Sequence, residues 1–293
     1  MTLKTLNLVG AGRVGQTLAH LWHAQQVFTI QDVLTTSLAS AQSACATIGT
    51  GNAVASMHAM RSADVWLLAV PDAQIATTAQ QLQQSWLDRN PSPANAKNVA
   101  QHLPPVAFHC SGALAAAQLS PLSDLGWHSA SAHCILSFAS VPSAIAQFAG
   151  TPCALDGHPY ACNTLRPAFA AIGAQCFDVA SEHKVLYHAA AVFATNFLPV
   201  LQSVAEDAWQ ATGVPPALIV RLRAALLHNA TNNIIRQGPA GALTGPAARG
   251  DLSAIAQQAQ VVSDWNPQAG AAYKALSQLA LDLKQASQQP QLF

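Results

Sequence analysis

The chain has 293 residues, of which 51% are hydrophobic and only 9% are charged. Thirteen basic residues balance thirteen acidic ones and no basic run is present, which argues against nucleic acid or an anionic membrane as a partner. The length and apolar content predict about two domains with a sizeable core. So few charges predict a surface of Gln, Ser, Thr and Ala, which is suited to burial in an oligomer.

The six cysteines are scattered and form no Cys-x-x-Cys motif, which is typical of reduced thiols in a cytoplasmic protein. By inspection, no stretch approaches the length of a membrane span. Residues 1–12 are predicted as a strand and a loop, not as a signal peptide. A cytoplasmic location is therefore expected.

Residues 5–15 hold the first motif. An apolar run leads into Gly-x-Gly-x-x-Gly and a helical apolar face follows, which is the context of a dinucleotide-binding loop. Gly10 allows a sharp turn, Gly12 lets a pyrophosphate approach the backbone, and Gly15 lets the helix pack close to the strand. The positive end of that helix then faces the phosphates. A glycine-rich turn without a ligand is the alternative. The predicted cofactor loop consists of Gly10, Ala11, Gly12, Arg13, Val14 and Gly15.

The second predicted strand covers residues 27–34, and its end bears on the choice of cofactor. In nicotinamide-binding folds an acid about 20 residues past the glycines holds the adenosine ribose. Here that position is Thr35, followed by Thr36 and Ser37, whose hydroxyls can accept a 2′-phosphate and favour NADP. Asp32 lies earlier and keeps NAD open as an alternative, and no arginine stands at positions 35–37.

Further strands alternate with helices up to residue 180. The apolar run 64–72 is typical of a strand buried on both faces, and Asp72 at its end is predicted to cap a helix that reaches residue 87. Residues 88–98 are rich in turn formers and are predicted as a surface loop. The alternation predicts the α/β class, with a doubly wound parallel (Rossmann) sheet over residues 1–180. The other predicted strands are 53–56, 106–112, 127–133, 152–155 and 175–179, with helices at 38–48 and 162–172.

No strand is predicted beyond residue 180, so residues 181–293 are expected to form an all-α domain. Its first helix covers 182–211, and Pro199 should bend it. A second helix begins at Pro215-Pro216 and reaches residue 237. A glycine- and proline-rich loop at 238–251 ends in Asp251, which should cap a helix over 252–263. The last helix covers 268–286, and a frayed Gln-rich tail follows.

Candidate chemistry is expected beyond the carboxyl ends of the strands, where open parallel sheets bind their ligands. Val70 and Pro71 lie at one such end and are predicted to contact the cofactor. Ser111 and Gly112 offer a hydroxyl and a backbone N–H to the nicotinamide or the substrate, with a helix cap as the alternative for Ser111. His133 could donate a hydrogen bond to a substrate or shuttle a proton, with a satisfied buried histidine as the alternative.

Two histidine–cysteine pairs, His109-Cys110 and His133-Cys134, raise the question of a metal site. Neighbouring residues on a strand point to opposite faces, so each pair offers one ligand to a given side. Two ligands are too few for a closed zinc site, and no metal is expected.

A second set of polar candidates lies in the helical region. Lys184 and His188 are four residues apart and share a helix face, and mutual repulsion lowers both pKa values and poises either group for proton transfer. Asn196 lies about 120° away around the helix and so faces a different partner. In the later loop Thr244 and Arg249 are polar, and Arg249 could clamp a carboxylate or a phosphate. Solvated surface residues are the alternative for Lys184 and Arg249.

In combination these motifs resemble the bacterial Rossmann-type NADP-dependent oxidoreductases that carry a helical C-terminal domain of unknown function. The shared motifs are residues 10–15, 69–72, 109–114, 133–138, 184–196 and 243–251. The chain departs from that family at His133-Cys134-Ile135, where the family usually has His-Pro-Leu, and at residues 35–37, where relatives often have Ser-Arg-Ser. More distantly it is similar to ketopantoate reductase, pyrroline-5-carboxylate reductase and the β-hydroxyacid dehydrogenases. Two of these groups carry Lys-x-x-x-Asn where this chain has Lys184-x-x-x-His188.

The resemblance implies a homodimeric, NADP-linked oxidoreductase, joined through its helical domain. Hydride would pass between the nicotinamide and a small polar carbonyl, hydroxy or imine substrate held between the sheet crevice and the Lys184/His188 face. Lys184 would donate the proton, His188 and Ser111 would orient the substrate, and Arg249 would bind its anionic group. A non-catalytic nucleotide sensor and a deazaflavin-dependent reductase are the alternatives.

Overall fold

The computed structural model describes residues 2–90 and 103–288. Most of the loop predicted at 88–98, and the end of the Gln-rich tail, lie outside the described residues. The chain divides into two compact units, Met1–Phe193 and Ala194–Phe293. The helix that carries Lys184 and His188 belongs to the first unit, whereas the predicted boundary after residue 180 placed it in the helical domain.

The first unit is built on an eight-stranded sheet with the order β3-β2-β1-β4-β5-β6-β7-β8. All neighbouring strands are parallel except β6 and β7, which are antiparallel and pair Cys134 with Cys153. The predicted doubly wound parallel sheet is therefore confirmed as a mostly parallel one. The reversal at β7 was not predicted, because a run of buried residues looks the same in either chain direction. The strands are β1 (Lys4–Val9), β2 (Phe28–Leu34), β3 (Asn52–Val54), β4 (Val65–Leu68), β5 (Val106–His109), β6 (His128–Cys134), β7 (Pro152–Gly157) and β8 (Gln175–Asp178).

Helices cover both faces of this sheet. The helix Val141–Gln147 (α5) was not predicted. Pro at its first turn and Ser140, which accepts a hydrogen bond from the Ser143 N–H, begin that helix in the usual way. Single 3₁₀ turns occur at Met57–Ala59, Asp72–Gln74, Ala116–Leu119 and Ser181–His183. The α-helices are α1 (Arg13–Ala24), α2 (Leu38–Ile48), α3 (Ile75–Arg89), α4 (Ser120–Ser123), α5 (Val141–Gln147), α6 (Pro159–Ala171) and α7 (Lys184–Ala191).

Alternate residues of the central strands feed two apolar clusters, one on each face of the sheet. On one face the buried Trp22 of α1 packs edge-on against Phe169 of α6, with ring centroids 5.2 Å apart. Its indole N–H donates to the carbonyl oxygen of Ala168 at 2.9 Å, so the largest apolar side chain of the core is also satisfied as a donor. These contacts pin α1, the helix that follows the glycine loop.

The second unit contains only helices in its described part. A π-helical turn at Val192–Asn196 leads into α8 (Phe197–Ala211). Pro199, near the start of α8, lacks the N–H that a regular helix would use at that position. Gly238 has a left-handed φ of 70° and interrupts α9 where its end was predicted. Asp251 caps α11 by accepting from the Ala254 N–H, as predicted. The helices are α8 (Phe197–Ala211), α9 (Pro216–Ala242), α10 (Gly245–Arg249), α11 (Leu252–Trp265) and α12 (Pro267–Gln288), so the loop predicted at 238–251 is wrong at α10.

One helical stretch, Ser181–Ala211, has 31 residues and a mean hydropathy of 1.3, with none of its apolar window buried. Length and composition alone would allow it to cross a membrane, so the expectation that no stretch approaches that length is wrong. Its first turn nevertheless carries Lys184, whose side chain is packed inside the first unit with 1% of its surface exposed.

Candidate active site

The parallel strands β1, β4, β5 and β6 bring their carboxyl ends to one edge of the sheet. The glycine loop follows β1, Val70 and Pro71 follow β4, and Ser111 and Gly112 follow β5. His133 is the next-to-last residue of β6. The sheet therefore brings together the candidates that were predicted from strand ends, as expected for a ligand crevice.

The three loop glycines occupy different surroundings. Gly10 has a left-handed φ of 81°, and a Cβ built on it would lie 2.7 Å from the carbonyl oxygen of Ala69. A Cβ on Gly15 would lie 2.9 Å from the Ala69 Cβ, so α1 packs tightly on β4. A Cβ on Gly12 would meet nothing within 4 Å. Gly12 is also the N-cap of α1, and the first turn of that helix contains no acidic residue. The positive end of α1 therefore has open space beside it and no carboxylate in its own first turn.

Arg13 connects the glycine loop to the segment after β6. Its Nη1 donates to the carbonyl oxygens of Phe138 and Ala139, both at 3.0 Å. The guanidinium is thus engaged by protein acceptors, and the role of Arg13 at a cofactor stays a prediction.

Hydroxyl groups cluster at the end of β2. Thr35 Oγ1 lies 2.6 Å from Ser40 Oγ, and Ser37 Oγ lies 2.9 Å from the same atom and caps α2 by accepting from the Ser40 N–H. Thr36 and Ser37 are exposed. None of residues 35–40 carries a carboxylate, which would repel a 2′-phosphate.

Asp32, the residue that kept NAD open as an alternative, is fully buried. Its carboxylate accepts from the backbone N–H and the guanidinium of Arg61, and from the Asn52 amide at 3.0 Å. Burial alone would raise the pKa of Asp32, but the hydrogen bonds from Arg61 and Asn52 outweigh it and hold the pKa below its usual value. A carboxylate with these partners ties β2 to the segment before β4, which explains an acid at this position without a ribose.

Ser111 links the ends of β4 and β5. Its hydroxyl donates to Asp72 Oδ2 at 2.6 Å and accepts from the Leu114 N–H at 3.0 Å. The side chain of Asp72 is therefore directed at Ser111, and the prediction that it caps α3 is wrong, because α3 begins only at Ile75. The Ser111 hydroxyl closes a turn and caps no helix, because the next helical turn begins only at Ala116. The predicted substrate role of Ser111 stays a prediction.

Lys184 extends from α7 beneath the Ser111–Gly112 peptide. Its Nζ donates to Ser131 Oγ at 2.7 Å and to the Ser111 carbonyl oxygen at 3.3 Å, and Ser131 Oγ donates to that same carbonyl at 3.1 Å. Burial lowers the pKa of the Lys184 ammonium. The ammonium was predicted to face the substrate, and in the structure a carbonyl and a hydroxyl cover it.

Two imidazoles, from β6 and α7, meet at Gly112. A Cβ built on Gly112 would lie 2.4 Å from His188 Nδ1 and 2.9 Å from His133 Nε2, so no side chain fits there. Within the described residues His188 Nδ1 is buried without a hydrogen-bond partner, which marks a polar atom that a bound group could satisfy. Burial, with His188 and Lys184 nearby, lowers the pKa of His133 to about 4.

His109 shows why the histidine–cysteine pairs are poor metal ligands. Its Nδ1 accepts from the Ser111 N–H at 3.2 Å and its Nε2 donates to the Ala115 carbonyl at 3.1 Å, so both ring nitrogens are used. Burial lowers its pKa to about 4, which keeps the ring neutral. Across residues 2–90 and 103–288, no group of three His, Cys, Asp or Glu could hold a metal ion.

Three candidates belong to the second unit. Asn196 is exposed and its Oδ1 accepts from the Thr195 hydroxyl at 2.8 Å. Thr244 precedes α10 and Arg249 ends it, and both are exposed. Their roles stay predictions.

Sequence reasoning missed Ser131 and Tyr187. Ser131 lies two residues before His133, so the period of a strand places both on one face, and this signal was available. Tyr187 Oη lies 2.9 Å from His133 Nδ1, a contact between positions 54 residues apart that no local pattern predicts.

Two family descriptions match the chain in succession. Residues 3–134 match a Rossmann-like domain, and residues 151–280 match DUF2520, a domain of unknown function. No curated protein matches the chain.

Solved structures of the same fold cover nearly the whole chain. A protein from Thermotoga maritima is 22% identical over 97% of this chain and 100% of its own, with a TM-score of 0.73. A candidate NADP oxidoreductase from Bacteroides fragilis is 18% identical over 96% and 98%, with a TM-score of 0.70. An imine reductase from Myxococcus stipitatus in complex with NADP⁺ is 18% identical over 96% and 94%, with a TM-score of 0.60. At these identities the likeness establishes the fold.

Proposed function

We propose, from the premise that this chain joins a Rossmann-like domain to the DUF2520 domain, that it is a cytoplasmic NADP-dependent oxidoreductase. The observation that carries the proposal is the open space over Gly12 at the N-terminus of α1, on the sheet edge where two imidazoles meet. Related folds bound to NADP⁺ support a nicotinamide cofactor. The substrate class is a small polar carbonyl, hydroxy compound or imine.

The residues at the crevice fit such a cofactor. The backbone N–H groups that begin α1 would receive the pyrophosphate, with Gly10 and Gly15 holding the turn in shape. Val70 and Pro71 would border it after β4, and the hydroxyls at residues 35–37 would receive the 2′-phosphate. A bound nicotinamide would supply or accept the hydride.

The protein side of the reaction would be carried by three groups around Gly112. His188 offers a buried, unpartnered nitrogen and is the best-placed group to exchange a proton. His133, kept neutral by its surroundings, would hydrogen-bond an acceptor atom of the substrate. Lys184 would act from below, because an ammonium on the Ser111 carbonyl polarises the peptide whose N–H belongs to Gly112.

The cofactor preference is tested by titrating the protein with NADPH, NADH and NADP⁺. We expect tighter binding of NADPH, and we expect Ser37→Asp to weaken NADPH by roughly 10- to 100-fold through charge repulsion while NADH changes little. Aspartate keeps the cap of α2, so the helix should persist. Ser43→Asp places the same charge further along α2 and serves as the control. Equal loss of both nucleotides, or no binding of any, would contradict the proposal; binding without turnover on any carbonyl or imine would favour the nucleotide-sensor alternative.

The second unit is proposed to form the interface of a homodimer. No residue of α8 is buried, and α9 buries only Ile219 among its side chains. Apolar side chains are widely exposed on these helices, including Val200 at 57% and Ile235 at 76%. So much apolar surface marks an interaction face.

Sedimentation velocity of the purified protein should therefore show a dimer, and Ile235→Glu should shift it toward monomer because a charge would be buried in the interface. Leu87→Glu, at an exposed leucine of α3, is the matched control. A wild-type monomer that binds lipid vesicles would assign the apolar helices to a membrane instead.

A further inference from the structure

The hydroxyl of Tyr187 lies within hydrogen-bond distance of His133, a proposed site residue. Tyr187 lies on α7 beside His188, and its Oη is 2.9 Å from His133 Nδ1. The phenol is half-buried and its ring packs edge-on near Phe177, with centroids 6.2 Å apart. Among the described residues, His133 is the hydrogen-bond partner of Tyr187 Oη.

Counting hydrogens decides which atom donates. Burial raises the pKa of Tyr187, so the phenol keeps its proton and needs an acceptor. If the phenol donates to His133 Nδ1, the phenol O–H and Nδ1 satisfy each other, and the single N–H of the neutral imidazole sits on Nε2. If Nδ1 carried the hydrogen instead, the half-buried phenol O–H would lose this acceptor, and Nε2 would be left as an acceptor.

The surroundings of His133 keep its ring neutral, which the tautomer argument requires. Burial, and then His188 and Lys184, lower the pKa of His133 to about 4 against an opposing effect of Asp72, so the imidazole is neutral near pH 7. A neutral imidazole is a poor proton source but a good hydrogen-bond donor. Both His133 Nε2 and His188 Nδ1 lie within 3 Å of the position that a Cβ on Gly112 would occupy.

We infer that Tyr187 is a positioning residue, which holds His133 as the Nε2–H tautomer so that this edge of the crevice presents a hydrogen-bond donor to an acceptor atom of the ligand. The inference favours a substrate whose reacting group accepts a hydrogen bond, such as a carbonyl oxygen. It rests on the proposed function only for the statement that the acceptor belongs to a substrate.

The tautomer can be measured without substrate or cofactor. Long-range ¹H–¹⁵N spectra of the full chain, labelled at its histidines, distinguish a protonated from an unprotonated ring nitrogen, and His133→Gln identifies the His133 signals by their loss. The wild-type protein should show an unprotonated Nδ1. Tyr187→Phe, which removes only the hydroxyl, should shift His133 toward a mixture of tautomers.

Tyr160→Phe is the matched control, because Tyr160 lies beside another histidine, His128, with ring centroids 4.7 Å apart. That variant should leave the His133 signals in place. A wild-type His133 protonated on Nδ1, or unchanged His133 signals in Tyr187→Phe, would overturn the inference even if the variant loses stability.

Turnover gives an independent readout once a substrate is known. Tyr187→Phe should lower kcat by roughly 10-fold, the effect of one weakened hydrogen bond, and leave NADPH affinity unchanged. If no nicotinamide binds but the tautomer result holds, the proposed function fails and the role of Tyr187 stands. If NADPH binds and the tautomer result fails, only the role of Tyr187 is lost.

Discussion

Replacing Gly12 with valine is expected to remove nicotinamide binding while the protein stays folded. A Cβ at this position meets no atom within 4 Å, and the backbone lies in the extended region at φ −72°, where valine is favourable. The valine would fill the space that a pyrophosphate needs at the N-terminus of α1. We expect an affinity loss of about 100-fold or more, with a stability cost of about 1 kcal/mol or less.

Gly10→Ala should instead lower the stability of the protein. Gly10 has a φ of 81° and lies close to the Ala69 carbonyl, so any side chain there strains the backbone. The free energy of unfolding of the variant should fall by roughly 1–3 kcal/mol, which lowers its melting temperature. Fluorescence titration and thermal melting of both variants separate the two effects. If Gly12→Val binds NADPH like the wild-type protein, the loop is a structural turn and the proposed function loses its main support.

Lys184→Met should lower turnover by roughly 10- to 1,000-fold and leave NADPH affinity intact, because the charge beneath the Ser111–Gly112 peptide is lost. Across the described residues no carboxylate lies within ion-pair distance of Nζ, and Asp156 and Asp72 act on the buried ammonium only from farther away. Methionine has a similar length, and the Ser111 carbonyl keeps the hydrogen bond from Ser131. The melting temperature should therefore stay the same or rise.

Lys274→Met, at an exposed lysine of α12, controls for the loss of a charge. Steady-state kinetics and thermal melting of the two variants decide between the readings of Lys184. Full turnover with a lower melting temperature would make Lys184 a structural residue and remove it from the mechanism.

The α/β fold was predictable because its strongest signals are local. The glycine loop, the apolar run of β4 and the cap at Asp251 each depend on residues within a few positions of one another. The direction of β7 was not predictable, since the same buried pattern fits a strand running either way.

The candidate site was predictable only in part. Strand ends identified Ser111 and His133 as neighbours, because parallel strands end at one edge. The contacts of these two residues were not predicted, because their partners are distant in the sequence. These partners are Asp72 and Lys184 for Ser111, and Tyr187 for His133. Lys184 was predicted to face the substrate, with a solvated surface lysine as the alternative. Its burial depends on contacts with Ser111 and Ser131, which lie 73 and 53 residues away in the sequence.

The reversal at β7 has a consequence for where the chain can be divided. The Rossmann-like match ends at residue 134, the last residue of β6, and the DUF2520 match begins at 151, just before β7. One continuous sheet thus contains strands from both matched regions, and the border between the regions lies between the paired strands β6 and β7. Cutting the chain between these two strands would expose an unpaired edge on each half. Neither matched region is therefore expected to fold as a separate unit.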